Sequence, residues 1–405
     1  MLIAGSAGAQ TDQVRRGVKP DWAVPSPALS VPDSPSGPVF IRRQDIETHL
    51  DAKGQAQYLG YRVKILQSSA LELGNIAIAW SPAAGAPIVH DIQLYRDGQV
   101  IDVLKNTSFE ILRREDQLEA ARLDGTLTAV LRVPDLRVGD ELEVDLTTFT
   151  RDPTLGHKEA GLLLLTPSPA PGRYHLGLSW DRGLKPTFTS TPDMIPAMVQ
   201  SERAIDFHFD NPGIISPPKD APARYQWQRA IQYSDFPDWA ALSHQFAPLY
   251  TKAATLAADS PVKREASRIA AAHIPALERA SAALKLVQQD VRYIYVGLNG
   301  GNLTPASAEE TWQRRYGDCK GKTALLLALL SELGIEAEPV IVNSSGADDG
   351  LDQRLPIPVF RSCARTCAHR WPHLLAGRNT STRRVAERPA DLSCQMGPAA
   401  DATRQ

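Results

Sequence analysis

The residues most capable of chemistry stand together at Tyr316-Gly317-Asp318-Cys319-Lys320-Gly321-Lys322-Thr323, directly ahead of an unbroken leucine-rich stretch. Thr323, Leu326, Leu327, Leu330 and Leu333 recur at helical spacing and Gly334 supplies a stop signal, so a helix is predicted to begin at this turn. Asp318 is a natural N-cap, which places Cys319 in the first turn, where backbone N–H groups point outward without intrahelical acceptors. That end of a helix carries about half a positive charge, which favours thiolate over thiol. Lys320 and Lys322 would add to the bias. A sulfur nucleophile needs these surroundings. Many cysteines are small apolar fillers, but Gly-Asp and Lys flanks fit that role less well. The thiol is expected to be partly exposed, in a groove between a helical layer and a sheet.

The neighbouring elements would hold that turn. Helical periodicity runs near 237–256, near 261–272 and over 274–291, the last with Leu277, Ala280, Leu284, Val287 and Val291 on one face. Further upstream the pattern is one of short strands. They are predicted at Tyr58–Leu66, Asn75–Trp80, Ile92–Leu94, Val100–Leu104, Leu127–Val133, Leu142–Thr147, Leu162–Thr166 and Arg173–Trp180. Asp97-Gly98 is a strong hairpin turn signal. Such a series predicts a β-sandwich or barrel-like domain over 55–215. Residues 10–38 are proline-rich and read as an extended lead-in, and 11–54 as a whole are assigned to it. His90, His157, His175 and His208 are scattered, with no metal-ligand spacing, and Trp180 and Trp227 read as core. No metal or cofactor is called for.

Residues 289–343 carry a resemblance. Val291-Arg292-Tyr293-Ile294-Tyr295-Val296-Gly297, then Ala308 through the Gly-Asp-Cys-Lys turn, then Gly334-Ile335, closely resemble the core of bacterial transglutaminase-like proteins over about Ser234 to Asn343. The family commonly has aspartate where Gly321 stands. The resemblance implies a papain-like thiol mechanism, in which cysteine attacks an amide carbonyl, histidine carries the proton and an aspartate orients the imidazole. It also implies an α+β fold, in which an N-terminal β-sandwich-like domain precedes a helix-plus-sheet core. Tyr95-Arg96-Asp97-Gly98 and Leu136-Arg137-Val138-Gly139-Asp140 resemble the uncharacterised β-rich domain that commonly precedes such cores in bacterial surface and periplasmic proteins. They are turn-and-strand chemistry and suggest no active site.

The resemblance puts the histidine about 40 residues after the cysteine, at the start of a strand just past Pro358-Val359-Phe360, and the aspartate on the next strand. The sequence there reads Arg361-Ser362-Cys363-Ala364-Arg365-Thr366-Cys367-Ala368-His369-Arg370-Trp371-Pro372-His373. From 361 to 405 stand eight arginines and no lysine, three of the four cysteines, one valine, and no isoleucine, phenylalanine or tyrosine. That inventory suits out-of-frame translation and argues against regular strands. The core at 235–360 is thus expected to be incomplete and 361–405 to be aberrant and poorly packed. The edge of a strand at Ile335–Val342 would be open and the leucine face partly uncovered. Two rival readings of these residues exist. Cys363, Cys367, His369 and His373 lack the intervening hairpin or helix of a zinc site, and Pro372 breaks any local helix. His369 or His373 with Asp391 could replace the catalytic partners, but no strand-like alternation would hold either imidazole.

Composition bounds the rest. With 405 residues, 43% hydrophobic and 22% charged, the chain is an ordinary globular one with room for two or three domains. It has no apolar run of about 18 residues and no basic block outside 361–405, which argues against nucleic acid as a partner. Residues 1–10, ending near Ala7-Gly8-Ala9, resemble the end of a secretory signal, so a periplasmic or secreted location is expected, with a cytoplasmic one as the alternative. Two function classes follow. One is a cysteine-dependent protein acting on peptide or protein amide bonds, by hydrolysis or acyl transfer, with Cys319 as nucleophile and its partners not identifiable. The other is a non-catalytic binding or envelope-associated protein that uses its β-rich domain.

Overall fold

The computed structural model describes residues 12–112, 122–123, 125–216, 218–222, 225, 228–296, 303–341, 353–357 and 364–368. They fall into two units. One holds the described residues up to 112, with 125–238 and 353–357; the other holds 122–123, 239–341 and 364–368. A β-rich unit followed by a largely helical one is the α+β arrangement expected.

The first unit opens with β1 (Arg15–Arg16), β2 (Val39–Asp51), β3 (Gly54–Ile65), β4 (Asn75–Trp80), β5 (Ile88–Arg96), β6 (Gln99–Asp102) and β7 (Glu110–Leu112). β8 (Arg122–Leu123) belongs to the second unit. β9 (Leu127–Arg132), β10 (Glu141–Thr150), β11 (Ala160–Leu164), β12 (Gly172–Trp180), β13 (Thr187–Ser190), β14 (Met198–Gln200), β15 (Ala204–Asp210) and β16 (Ala230–Ser234) complete the first. A nine-stranded sheet has the order β1-β5-β10-β3-β2-β12-β15-β14, with β6 on β5. Two three-stranded sheets, β4-β9-β7 and β11-β16-β13, cover its apolar face. Val63, Ile92 and Val144 pack with Ile76, Ile78 and Leu131, while Leu176, Leu178 and Phe207 pack with Leu163, Ile231 and Tyr233. Asp97 and Gly98 both have positive φ in the β5–β6 hairpin, as the Asp-Gly signal predicts. The two turn segments singled out in the sequence meet, because the Arg96 guanidinium forks onto both carboxylate oxygens of Asp140.

Two boundaries differ from the sequence reading. β2 lies inside the lead-in expected at 11–54, where Arg43, Asp45, Glu47 and His49 form one face of a strand, alternating with Gln44, Ile46, Thr48 and Leu50. The β-rich unit also runs past 215, since β16 lies between β11 and β13 in a small sheet with all five of its residues buried. Trp180 is a core residue as expected, whereas Trp227, like residues 1–10, lies outside the described residues.

The second unit comprises α1 (Trp239–Ala254), α2 (Pro261–Ala272), α3 (Ala276–Asp290), β17 (Arg292–Tyr293), β18 (Tyr295–Val296), α4 (Ala308–Arg314), β19 (Tyr316–Gly317), α5 (Cys319–Glu332), β20 (Ala337–Ile341) and β21 (Ala364–Ala368). The first three helices fall within two residues of the predicted limits. Eleven of the 14 residues of α5 are buried, so it is a core helix with almost no solvent face. Leu325, Leu326, Leu329 and Leu330 pack with Val262, Ile269, Val287 and Trp312. The expectation of an uncovered leucine face is therefore incorrect. So is that of no strand beyond 361, because β21 pairs antiparallel with β20, from Ala337 with Ala368 to Ile341 with Ala364, which covers one edge of β20; among the described residues the other edge has no strand partner. Pairing uses backbone N–H and C=O groups, which Ala-Arg-Thr-Cys-Ala supplies without an apolar inventory. Cys363, His369, His373 and Asp391 lie outside the described residues.

Candidate functional site

The turn that presents Cys319 is built by short-range polar bonds. Ser307 caps α4 by accepting from the Glu310 N–H, a Ser-x-x-Glu start, and Arg315 ends it in the left-handed region at φ 57° with its guanidinium 3.5 Å from the Trp312 ring. The chain then passes through β19, which pairs parallel with β17. Asp318 is the N-cap of α5 as predicted. Its Oδ1 accepts from the Lys320 and Gly321 N–H groups, each at 3.0 Å.

Cys319 opens α5, but it is buried, at 4% exposure, and not half open in a groove. A helix enclosed over its length by α1 to α4 and the β20–β21 pair leaves its first residue little surface. The lysines also behave differently from the sequence expectation. The Lys320 ammonium is bonded to Asp318 Oδ2 and sits 4.9 Å from the Tyr295 ring. Burial alone would lower its pKa, but Asp318 outweighs burial and holds it above the ordinary lysine value. Lys322 donates to the Val291 carbonyl at 2.7 Å, and burial holds its pKa below that value. Lys320 is thus matched locally by Asp318, whose carboxylate also accepts from two first-turn amides, so the positive end of the helix is partly offset beside the sulfur.

Gly321, where the resembled family has aspartate, is explained by its neighbour. A Cβ there would lie 2.8 Å from Thr311 Oγ1 and 3.4 Å from Ala306 Cβ. The buried threonine fills the space that a side chain at 321 would take.

A second concentration of titratable groups, missed in the sequence, covers the other face of the nine-stranded sheet. Asp45 on β2 is in register with His175 on β12 and with Gly60 on β3, and Gly60 in turn with Asp145 on β10. Arg43, 5% exposed, donates to Asp45 Oδ2 at 2.8 Å, Glu143 Oε1 at 2.7 Å and Asp145 Oδ1 at 2.8 Å. His175 is hydrogen-bonded through Nε2 to Asp206 at 2.8 Å, has Nδ1 3.4 Å from Asp45, and stacks on His208 with centroids 4.4 Å apart. Burial alone would lower the His175 pKa, but Asp206, Asp45 and Glu47 outweigh it and push it up to about 9. Burial raises Glu47 to about 7, while the partners of Asp45 outweigh its burial and hold it low. Two glycines make room for this layer. A Cβ on Gly60 would meet the Tyr58 hydroxyl at 2.3 Å and Arg43 Nη1 at 2.7 Å, and one on Gly177 would lie 3.2 Å from both Asp206 Oδ1 and Glu47 Cγ. His175 and His208 thus meet across the 33 residues that made them look scattered. His90 bonds Thr147 Oγ1 and the Gly17 carbonyl, and His157 is exposed. The signal available in the sequence was the run of charged residues at every second position of β2. Among the described residues no helix is long and apolar enough to cross a membrane.

Residues 52–197 match DUF3857, a domain of unknown function with a solved structure; the match does not reach Cys319. Among solved structures the chain is similar to a "putative protease" from Parabacteroides distasonis at 14% identity and a TM-score of 0.62, with 82% of this chain and 65% of that one covered. The chain therefore spans less than two thirds of that protein's length, and the likeness shows the fold alone. The likeness to native yeast LTA4 hydrolase, at 12% identity, a TM-score of 0.27 and coverage of 49% of this chain and 29% of that one, is too low to carry an argument. No curated protein matches the chain.

Proposed function

We propose that the chain is a transglutaminase-like, cysteine-dependent protein built to act on amide bonds, with Cys319 as the thiol nucleophile, and that it turns over poorly as written. The observation that carries this reading is the Asp318-capped start of α5, which puts Cys319 in the first turn at the positive end of a buried helix. The likeness to a protein described as a "putative protease" is compatible with it. Poor turnover follows from the sequence, since no histidine stands where the resemblance requires one; β21 begins 45 residues after Cys319 with Ala364. A thiol that attacks an amide carbonyl forms a tetrahedral oxyanion. Collapse to the thioester then needs a proton delivered to the leaving amine, and hydrolysis or transfer needs one removed from the incoming water or amine. In serine-type triads, loss of such partners costs several orders of magnitude.

A second reading, a non-catalytic binding protein that uses the β-rich unit, is favoured by the burial of Cys319 and by the charged layer on the nine-stranded sheet. One experiment separates the two. The full chain, with Cys363, Cys367 and Cys394 changed to serine, is treated with iodoacetamide or with a glutamine-bearing dipeptide and hydroxylamine. The proposal expects carbamidomethylation at Cys319 and no hydroxamate above a Cys319→Ala control. Absence of labelling under native conditions would remove the nucleophile and leave the binding reading. Multiple turnovers dependent on Cys319 would restore a full enzyme.

A further inference from the structure

Residues 14–29 of the first unit do not lead idly into β2; they cross the charged face of the sheet as a strap that turns once, where the Ala23 N–H donates to the Pro20 carbonyl at 3.0 Å, and is extended beyond that turn. β1 pairs parallel with β5, and Lys19 Nζ then reaches Asp145 Oδ2 at 2.8 Å. Trp22 stacks on His49 with centroids 5.1 Å apart and an interplanar angle of 8°. The Val24 N–H donates to Glu47 Oε2 at 3.0 Å and the Ser26 N–H to Asp45 Oδ1 at 2.8 Å. The Pro27 carbonyl accepts from Arg173 Nη1 at 3.0 Å.

The strap reads β2 in reverse at matched spacing, with 22, 24 and 26 over 49, 47 and 45. At its centre the Val24 and Ser26 amides bond to carboxylate side chains, whereas its two ends are tied to strand backbone, Gly17 N–H to the Val89 carbonyl on β5 and Leu29 N–H to the Arg42 carbonyl on β2. The sequence Val24-Pro25-Ser26-Pro27 suits this arrangement, because the residues between and after the two donors are prolines and have no N–H to satisfy. An extended chain with prolines at alternate positions is thus recognised by carboxylates two residues apart, an aromatic stack and an acidic anchor for a lysine.

The fit is incomplete, and although Ala23 is buried and Val14 packs against the core, the two valines at the middle of the strap stay in water. Val24 is 67% exposed, and Glu47 Oε1 and Ser26 Oγ have no hydrogen-bond partner among the described residues although both are buried. Opening the strap returns Asp45, Glu47 and Asp145 to water, which offsets the lost bonds. Segments with these properties open locally, far below the free energy of global unfolding. We propose that the charged face of the nine-stranded sheet is a binding site for an extended polypeptide in which a lysine, an aromatic and two alternating prolines recur at the spacing of residues 19–27, and that the chain's own strap occupies it as an intramolecular ligand. A ligand with one more donor opposite Glu47 Oε1 would bind better than the strap does.

The test uses the full chain and a fluorescein-labelled peptide of residues 17–30. A Lys19→Ala/Trp22→Ala variant weakens the resident strap without touching the sheet. Anisotropy should show this variant binding the peptide at least about tenfold tighter than the parent, by removal of the competitor. A peptide with proline moved to positions 24 and 26, and valine and serine to 25 and 27, should not bind. Failure of the native peptide to bind a variant that keeps its cooperative unfolding transition would overturn the proposal, as would equal binding of both peptides. Hydrogen exchange on the unaltered chain gives an independent reading. The Val24 and Ser26 amides should exchange at least about a hundredfold faster than amides of β2 that pair with β3; exchange of all these amides at a common rate would make the strap a fixed part of the fold.

Discussion

Replacing Arg43 by methionine tests whether the charged layer of the sheet is a single electrostatic unit. The substitution keeps an unbranched side chain but removes a cation shared by Asp45, Glu143 and Asp145, two of which are among the most buried groups of the unit. Breaking a buried ion pair from one side typically destabilises by about 3–5 kcal/mol, because the remaining charge is left uncompensated. Three carboxylates would not triple that figure, since each keeps another partner. Lys19 remains on Asp145, Arg62 lies 3.8 Å from Glu143, and the Ser26 N–H and His175 remain on Asp45. The expected loss is thus about 3–5 kcal/mol, against a domain stability of about 5–15 kcal/mol. With a urea slope of about 2–3 kcal/mol/M for a unit of this size, the midpoint should fall by about 1–2 M. Urea unfolding followed by tryptophan fluorescence, in a background with Trp239, Trp312 and Trp371 changed to phenylalanine, reads this unit. Arg43→Lys, which keeps the charge without the fork, should lie between parent and methionine variant. Adding Asp145→Asn to Arg43→Met should recover part of the loss, a coupling absent if the residues acted separately. An Arg43→Met midpoint within about 1 kcal/mol of the parent would refute the reasoning.

Three further outcomes are expected. Glu47 and Glu159 are raised to about 7 and His175 to about 9 in the folded state; each contributes stability that is present below its unfolded value and lost as pH rises through its folded one. The urea midpoint of the β-rich unit should therefore fall from pH 5 to pH 9, and it should also fall on strong acidification as the depressed Asp45, Asp140 and Glu141 protonate; a midpoint that rises from pH 5 to pH 9 would contradict the assignment. Gly321→Ala gains about 1 kcal/mol of helix propensity, but its Cβ falls 2.8 Å from Thr311 Oγ1, so thermal melting should show a net loss that Thr311→Ala relieves; a stabilised single variant would mean the contact is soft. Cys319 should react with iodoacetamide more slowly than a solvent-exposed thiol in the native chain and accelerate in sub-denaturing urea, because access requires α5 to open at its start; a fast native rate, measured by intact mass, would place the sulfur at the surface.

The sequence revealed local features well and distant ones poorly. The Asp318 cap, the limits of α1 to α3 and the Asp97-Gly98 hairpin were legible because each is decided by residues within one turn or strand of itself. β2 is not, because five of its 13 residues are charged and it follows a proline-rich stretch, which together look like a linker. The His175–Asp45–Asp206 group was invisible for the same reason, since β2 meets β12 only across 130 residues. The burial of Cys319 is not legible locally, because a helix start carries its cap in the sequence but not the elements packed around it. The pairing of β21 is not legible either, because it rests on backbone hydrogen bonds to which side-chain composition is nearly blind.

The parallel pairing of β2 with β12 also bears on how the unit is made. A ribosome adds about 5–20 residues per second, so β2 emerges roughly ten to thirty seconds before β15 is complete and cannot finish its sheet in that interval. An ordinary core strand would wait with a bare apolar stripe on offer to any other nascent chain. β2 waits with Arg43, Asp45, Glu47 and His49 hydrated on one side and a strap already synthesised ahead of it, able to engage two of those carboxylates from the moment β2 leaves the exit tunnel. The apolar residues on the other side of β2, Ile46 and Leu50, still wait for β12, but the charged side can be engaged by a segment that is already made.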